Sequence, residues 1–145
     1  MTYSFIPSYV LGVLIFIVAS LPGSDIHEVQ QYPDNLFIRF LISDQFMHFA
    51  TFGVLAFLIY FAYERSCIMQ RASQKVKDKS LKADVGYFIP GLSGIGYGLF
   101  IELYQGILPW RAFGFDDLFW NVIGVLFATA VFYFIPLMPN RLTKG

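Results

Sequence analysis

The feature that most limits what this chain can become is the spacing of its charges. Residues 1–24 carry no Asp, Glu, Lys or Arg, and neither do 45–63, 85–101 or 118–140. A bilayer core of ~30 Å needs roughly 20 residues of helix, and each uncharged stretch is near that length. The pattern predicts membrane-spanning helices over Phe5–Leu21, Gln45–Tyr63, Gly86–Leu108 and Asp117–Met138. Mixed Phe, Leu, Ile and Ala content without period-two alternation argues against a β-barrel. At 57% hydrophobic and 14% charged, the chain cannot dress itself as a soluble domain, which runs nearer ~25% charged. The same composition excludes a disordered chain. The expected fold is all-α: one domain over residues 1–145, a polytopic bundle of four transmembrane helices.

Orientation follows from the basic residues, because Lys and Arg beside a span resist translocation. Arg65, Arg71, Lys75, Lys77, Lys79 and Lys82 lie between the second and third spans, and Arg141 and Lys144 follow the fourth. Only Arg39 and Arg111 fall on the other side. Both termini and the 64–85 loop are therefore expected in the cytoplasm, and the 22–44 and 109–116 loops outside. Trp110 and Trp120 would mark the outer boundary, and Tyr63, Tyr87 and Tyr133 the inner one. Val18-Ala19-Ser20 would suit a signal peptidase, but Thr2-Tyr3-Ser4 supplies no positive lead, so the first helix is expected to be retained. Leu36–Ile42 is apolar and too short to span; it reads either as a helix lying in the outer interface or as a segment packed on the bundle.

Ionisable groups at membrane depth cost ~2.5–3.5 kcal/mol each at a helix centre, so their positions carry information. Asp44 and His48 enter the second span one turn apart, on one face. Glu102 and Gln105 close the third span; Gly91, Gly94 and Gly98 continue their stripe at steps of three and four. Such a stripe lets neighbouring helices approach closely below and presents Glu102 above. Asp117, Asn121 and Gly124 share a stripe on the fourth span, with Asp116 beside it and Arg111 in the preceding loop. All these groups fall in the outer third of their helices, although the orientation was deduced from Lys and Arg alone. The glycines fit packing. Glu102 fits either an ion pair with Arg111 or a functional carboxylate, and Asp44 and Asp117 fit helix caps as well as ligands.

Asp44, Glu102, Asp116 and Asp117 could bring four negative charges against Arg111 and His48. Like charges in a low dielectric cannot all ionise. Some carboxylates hold protons, or the site takes up a cation from outside, or some groups face water. Zinc is poorly signalled, since His48 is the one imidazole at this face besides His27 in the loop. Oxygen ligands would suit Mg²⁺ or Ca²⁺ better, and no metal or cofactor is assigned. No phosphate-binding glycine loop or nucleophile with its base is present, and Cys67 lies at the opposite face. Ten basic and ten acidic residues leave no net charge with which to attract nucleic acid.

These residues resemble the VanZ-like family of small bacterial membrane proteins. Its members carry Asp-Lys-x-x-His entering one helix, Glu-x-x-Gln ending the next, then Arg, Asp, Asn and Gly. The corresponding residues here are Asp44-Gln45-Phe46-Met47-His48, Glu102-Leu103-Tyr104-Gln105, and Arg111, Asp117, Asn121 and Gly124. The match runs from residue 44 to 124, with Gln45 in place of the usual Lys and Phe52 where Tyr is common. The resemblance implies the bacterial cytoplasmic membrane and the cell envelope. The family takes its name from a protein linked to resistance to the glycopeptide teicoplanin.

Three functions fit. An outward polar pocket could bind a lipid headgroup, a lipid-linked envelope intermediate or an amphiphilic antibiotic, using Asp44, Gln105, Arg111, Asp117 and Asn121. A membrane enzyme could act on an outer-leaflet substrate with Glu102 and His48 as acid and base. A structural subunit could use the polar cluster to fix helix register in an envelope complex. The lipid bilayer is the expected partner, and no protein partner is legible. Proton-linked transport is disfavoured, because no relay of ionisable groups reaches the cytoplasmic side.

Overall fold

A computed structural model of the chain describes residues 2–22, 36–41, 43–73 and 88–134. Among them the fold is all-helical, with no strand. A 3₁₀ turn at Thr2–Phe5 leads into α1 (Ile6–Ser20), followed by α2 (Leu36–Leu41), α3 (Asp44–Ser73), α4 (Phe88–Gln105) and α5 (Phe115–Phe134). The expectations for residues 23–35, 74–87 and 135–145 fall outside the described residues, and with them His27 and all five lysines.

The centre of the bundle is the crossing of α3, α4 and α5. α3 and α5 run parallel, with Gly53 against the Gly124 carbonyl and Tyr60 stacked on Phe132 two turns further on. α4 runs antiparallel to both and lays its small residues into the seam: Gly98 meets Asn121 and Phe52, Gly94 meets Val125 and Ala56, and Gly91 meets Tyr60 and Thr129. Any side chain there would hold the helices apart, which is why the stripe needs glycine. Gly91, Gly94, Gly98, Glu102 and Gln105 are all buried, as their spacing predicts. Phe52, Leu55, Ala56, Ile101, Val125 and Ala128 fill the core beneath.

α1 lies against α3 and α4 at the periphery. Polar tethers hold it there: the Tyr97 hydroxyl donates to the Gly12 carbonyl at 2.6 Å, and the Ser20 hydroxyl, whose proton goes to the Phe16 carbonyl, accepts from the Tyr104 hydroxyl at 3.2 Å. Val10, Leu14, Ile17 and Val18 face outward. α4 and α5 also expose large apolar side chains, Leu92, Leu103, Phe119 and Phe127 among them, while Glu102 and Asn121 are buried. Apolar outside and polar within is the distribution that a lipid surround selects.

Two helices, over Asp44–Cys67 and Phe115–Phe134, are long and apolar enough by themselves to cross a membrane. Only 28% of the most apolar stretch of each is buried inside the protein, which separates them from the core helices of a soluble domain. The other two expected spans are weaker. α1 has 15 helical residues. α4 has 18, and Pro90, its glycines, Glu102 and Gln105 dilute its apolar content.

Helix ends differ from expectation in two places. α3 continues to Ser73, through residues expected to open the 64–85 loop. Glu64, Arg65, Gln70 and Arg71 are good helix formers, and the Arg65 guanidinium covers the Phe61 ring one turn back, 5.2 Å from its centroid. At the other end of α3 the cap is Ser43, whose hydroxyl accepts from the Phe46 N–H at 3.3 Å, so Asp44 does not fill that role.

Candidate polar site within the helix bundle

Three helix ends meet at one end of the bundle. The second turn of α3 brings His48, the last turn of α4 brings Glu102, and the first two turns of α5 bring Asp117 and Asn121. Gly114 caps α5, its carbonyl accepting from the Leu118 N–H at 3.1 Å. Asp116 and Asp117 thus stand inside the first turn, where the helix dipole favours negative charge, and Asp117 is not the cap.

The four side chains form a connected set. Asn121 Nδ2 donates to Glu102 Oε1 at 3.2 Å, and His48 Nδ1 meets Asn121 Oδ1 at 3.0 Å. His48 Nδ1 lies 3.8 Å from Glu102 Oε1, and His48 Nε2 lies 3.7 Å from Asp117 Oδ1. Glu102 is 0% exposed, His48 and Asp117 are partly open, and Asn121 is buried between them. One ligand atom from each of His48, Glu102 and Asp117 lies within 4.8 Å of the others. The arrangement can exchange protons through the imidazole, or gather nitrogen and oxygen donors around a cation.

The other expected site residues are placed differently. Asp44 and Gln45 are exposed at the start of α3, so the Gln45 position is not part of the grouped side chains. Gln105 is buried one turn beyond Glu102. Arg111 makes no ion pair with Glu102 or Asp117 among the described residues, so of the two alternatives for Glu102 the ion pair with Arg111 is not the one formed. It is half-buried in the loop after α4, with Nε shielded from solvent and unbonded. Its backbone closes the turn, with the Arg111 N–H donating to the Leu108 carbonyl at 3.2 Å. The loop group acting on the Glu102 carboxylate is the Gly114 backbone N–H, while Oε2 meets no hydrogen-bond partner among the described residues.

Gly114 is the residue the sequence reading missed. A Cβ there would stand 2.5 Å from Asp117 Oδ2, so glycine leaves the room in which that carboxylate folds back over the site. The signal available was its position three residues before an acid, where glycine is an accepted helix cap.

A cavity of about 610 Å³ lies elsewhere, between α1, α3 and α4. Its walls are apolar and aromatic, including Phe5, Val13, Phe16, Leu55 and Phe100, with the buried Ser8 hydroxyl unbonded at its edge.

Fold and site define an all-helical protein whose apolar faces point outward and whose ionisable groups gather inside, the build of a membrane protein. The VanZ/LLP1 family model matches residues 6–136, most of the chain, and the chain belongs to that family. No curated protein and no solved structure matches it.

Proposed function

We propose that this chain is a multi-pass protein of the bacterial cytoplasmic membrane whose polar cluster faces outward and binds the polar end of an envelope amphiphile. In this reading α1, α3, α4 and α5 all cross the bilayer, with both termini in the cytoplasm. The ligand is a lipid headgroup, a lipid-linked envelope intermediate or an amphiphilic antibiotic such as teicoplanin. The observation that carries the reading is the gathering of His48, Glu102, Asp117 and Asn121 at one end of the bundle. That end is the one which the Lys and Arg count assigns to the outside. Intramembrane ionisable groups are functional by default, because burying them is expensive. The apolar cavity beside α1 matches an acyl chain in character.

Teicoplanin binding to the chain in nanodiscs, and mass spectrometry of lipids that co-purify with it, test the reading. Wild type is expected to retain one class of amphiphile that Glu102→Gln and Asp117→Asn lose. Equal retention by all three would overturn it.

One observation favours an enzyme instead. His48 stands between two carboxylates, a setting that suits a general acid or base. Under that reading Glu102→Gln and His48→Ala abolish turnover of an outer-leaflet lipid while binding survives; under the binding reading both are lost together.

A further inference from the structure

Glu102 is wholly enclosed, yet it uses only half of its carboxylate. Oε1 accepts from Asn121, while Oε2 is buried with no hydrogen-bond partner among the described residues. An unsatisfied buried oxygen is costly to keep, and this one belongs to the carboxylate whose other oxygen stands 3.8 Å from His48 Nδ1.

A second imbalance sits on the histidine. With Nδ2 of Asn121 donating to Glu102, the amide oxygen is left facing His48, and only a protonated Nδ1 can satisfy it. The neutral ring then carries its lone pair on Nε2, the atom 3.7 Å from Asp117 Oδ1. Two electron-pair donors facing each other call for something positive between them. At 3.7 Å the gap exceeds a hydrogen bond. Two metal–ligand bonds of ~2.1 Å, meeting at a tetrahedral to trigonal angle, span roughly 3.4–3.6 Å.

We propose that His48, Glu102 and Asp117 together hold one divalent d-block cation, with Zn²⁺ and Mn²⁺ as its representatives. Neutral imidazole disfavours Mg²⁺ and Ca²⁺, and two carboxylates balance the charge of the ion. Asn121 orients the ring from the second layer: by holding Nδ1 it fixes Nε2 as the ligating atom. Three protein ligands leave coordination positions open. The cation would turn an acidic site into one that accepts a phosphate or carboxylate oxygen of a headgroup. The inference rests on the reading of this cluster as a ligand-binding centre, and its test keeps the two apart.

The full chain, purified with a histidine-free tag and stripped with chelator, is placed in phosphatidylcholine nanodiscs. Zn²⁺ affinity is read by competition with a chromophoric indicator, and Mn²⁺ occupancy by electron paramagnetic resonance. Wild type is expected to bind one equivalent saturably. Glu102→Gln, Asp117→Asn and His48→Ala should each weaken binding by more than ~10-fold, a direct ligand mattering at least as much as an outer-layer one. Glu64→Gln, at the far end of α3, should match wild type. Helical content by circular dichroism and elution volume confirm folding, and any two folded variants suffice. Absence of a saturable site in wild type, or binding that survives the substitutions, overturns the proposal. Teicoplanin and co-purifying lipid are scored on the same samples with and without EDTA. Amphiphile retained without metal removes the cation and keeps the binding reading; metal bound without amphiphile does the reverse.

Discussion

Gly124 of α5 lies directly against the Phe49 carbonyl of α3, so closely that a Cβ would overlap that oxygen and crowd the Gly53 N–H. The contact sits one residue along from His48 on one helix and one turn from Asn121 on the other. Helix spacing at this crossing therefore sets the reach of the His48–Asn121 hydrogen bond. Gly124→Ala places its methyl against backbone, which cannot rotate away. The expected effect is a loss of about 1–3 kcal/mol of stability, as for overpacking in a filled core. A lower detergent melting temperature together with weakened ligand binding checks it. A variant that melts like wild type would mean that the two helices are not held this tightly.

Asn121 bridges His48 and Glu102, so its loss is felt twice. Asn121→Leu leaves the enclosed Glu102 oxygen without its donor and frees the imidazole to change tautomer. Hydrogen bonds between membrane helices contribute about 0.6 kcal/mol on average and up to ~1.7, and an orphaned buried partner raises the cost to about 1–3 kcal/mol. Adding Glu102→Leu should return much of that stability, because removing both partners of a buried polar pair is often near neutral. Detergent melting of the two single variants and the double variant gives the coupling. Simple addition of the single losses would show that the two side chains do not act as a unit.

Gly114 offers a test of positioning that spares every polar group. Its φ is not in the left-handed region, so alanine strains no backbone there. The new methyl instead meets Asp117 Oδ2 at 2.5 Å and Asp117 Cγ at 2.9 Å. The Asp117 carboxylate must swing away from His48, and it is open enough to do so. Gly114→Ala should therefore lower ligand affinity several-fold while leaving the melting temperature within a few degrees of wild type. Equal losses in both would mark Gly114 as a fold residue only.

What was legible in the sequence is what helical periodicity controls. The Gly91–Gln105 stripe and the Asp117–Gly124 stripe each describe one face of one helix. Shared membrane depth then brought His48, Glu102, Asp117 and Asn121 to one level. Depth alone does not give azimuth or loop path. Arg111 shares the depth of Glu102, but the turn after α4 directs the Gly114 backbone toward the carboxylate and leaves the guanidinium elsewhere. Asp44 shares the face of His48 by spacing, yet it is exposed where α3 begins. The end of α3 was misplaced because charge was read as loop, whereas Glu64 to Arg71 continue a helix once it leaves the apolar layer. The cavity beside α1 has no sequence signature, since it depends on how a peripheral helix is tethered through Tyr97 and Tyr104.

The orientation deduced from Lys and Arg is open to a direct check, because the chain carries a single cysteine, Cys67. It is partly exposed and ends the apolar part of α3, opposite the His48 end of that helix. A membrane-impermeant maleimide added to intact cells should leave Cys67 unlabelled and should reach it after permeabilisation. In a Cys67→Ser background, Asp116→Cys should show the reverse, because Asp116 is exposed beside the polar cluster. The eight-to-two count of basic residues predicts this orientation, and the opposite labelling of the two sites requires α4 to carry the chain back across between them. Labelling of Cys67 from outside would put the cluster in the cytoplasm and remove the extracellular amphiphile from consideration. Labelling of both sites from one side would mean that α4 does not carry the chain back across.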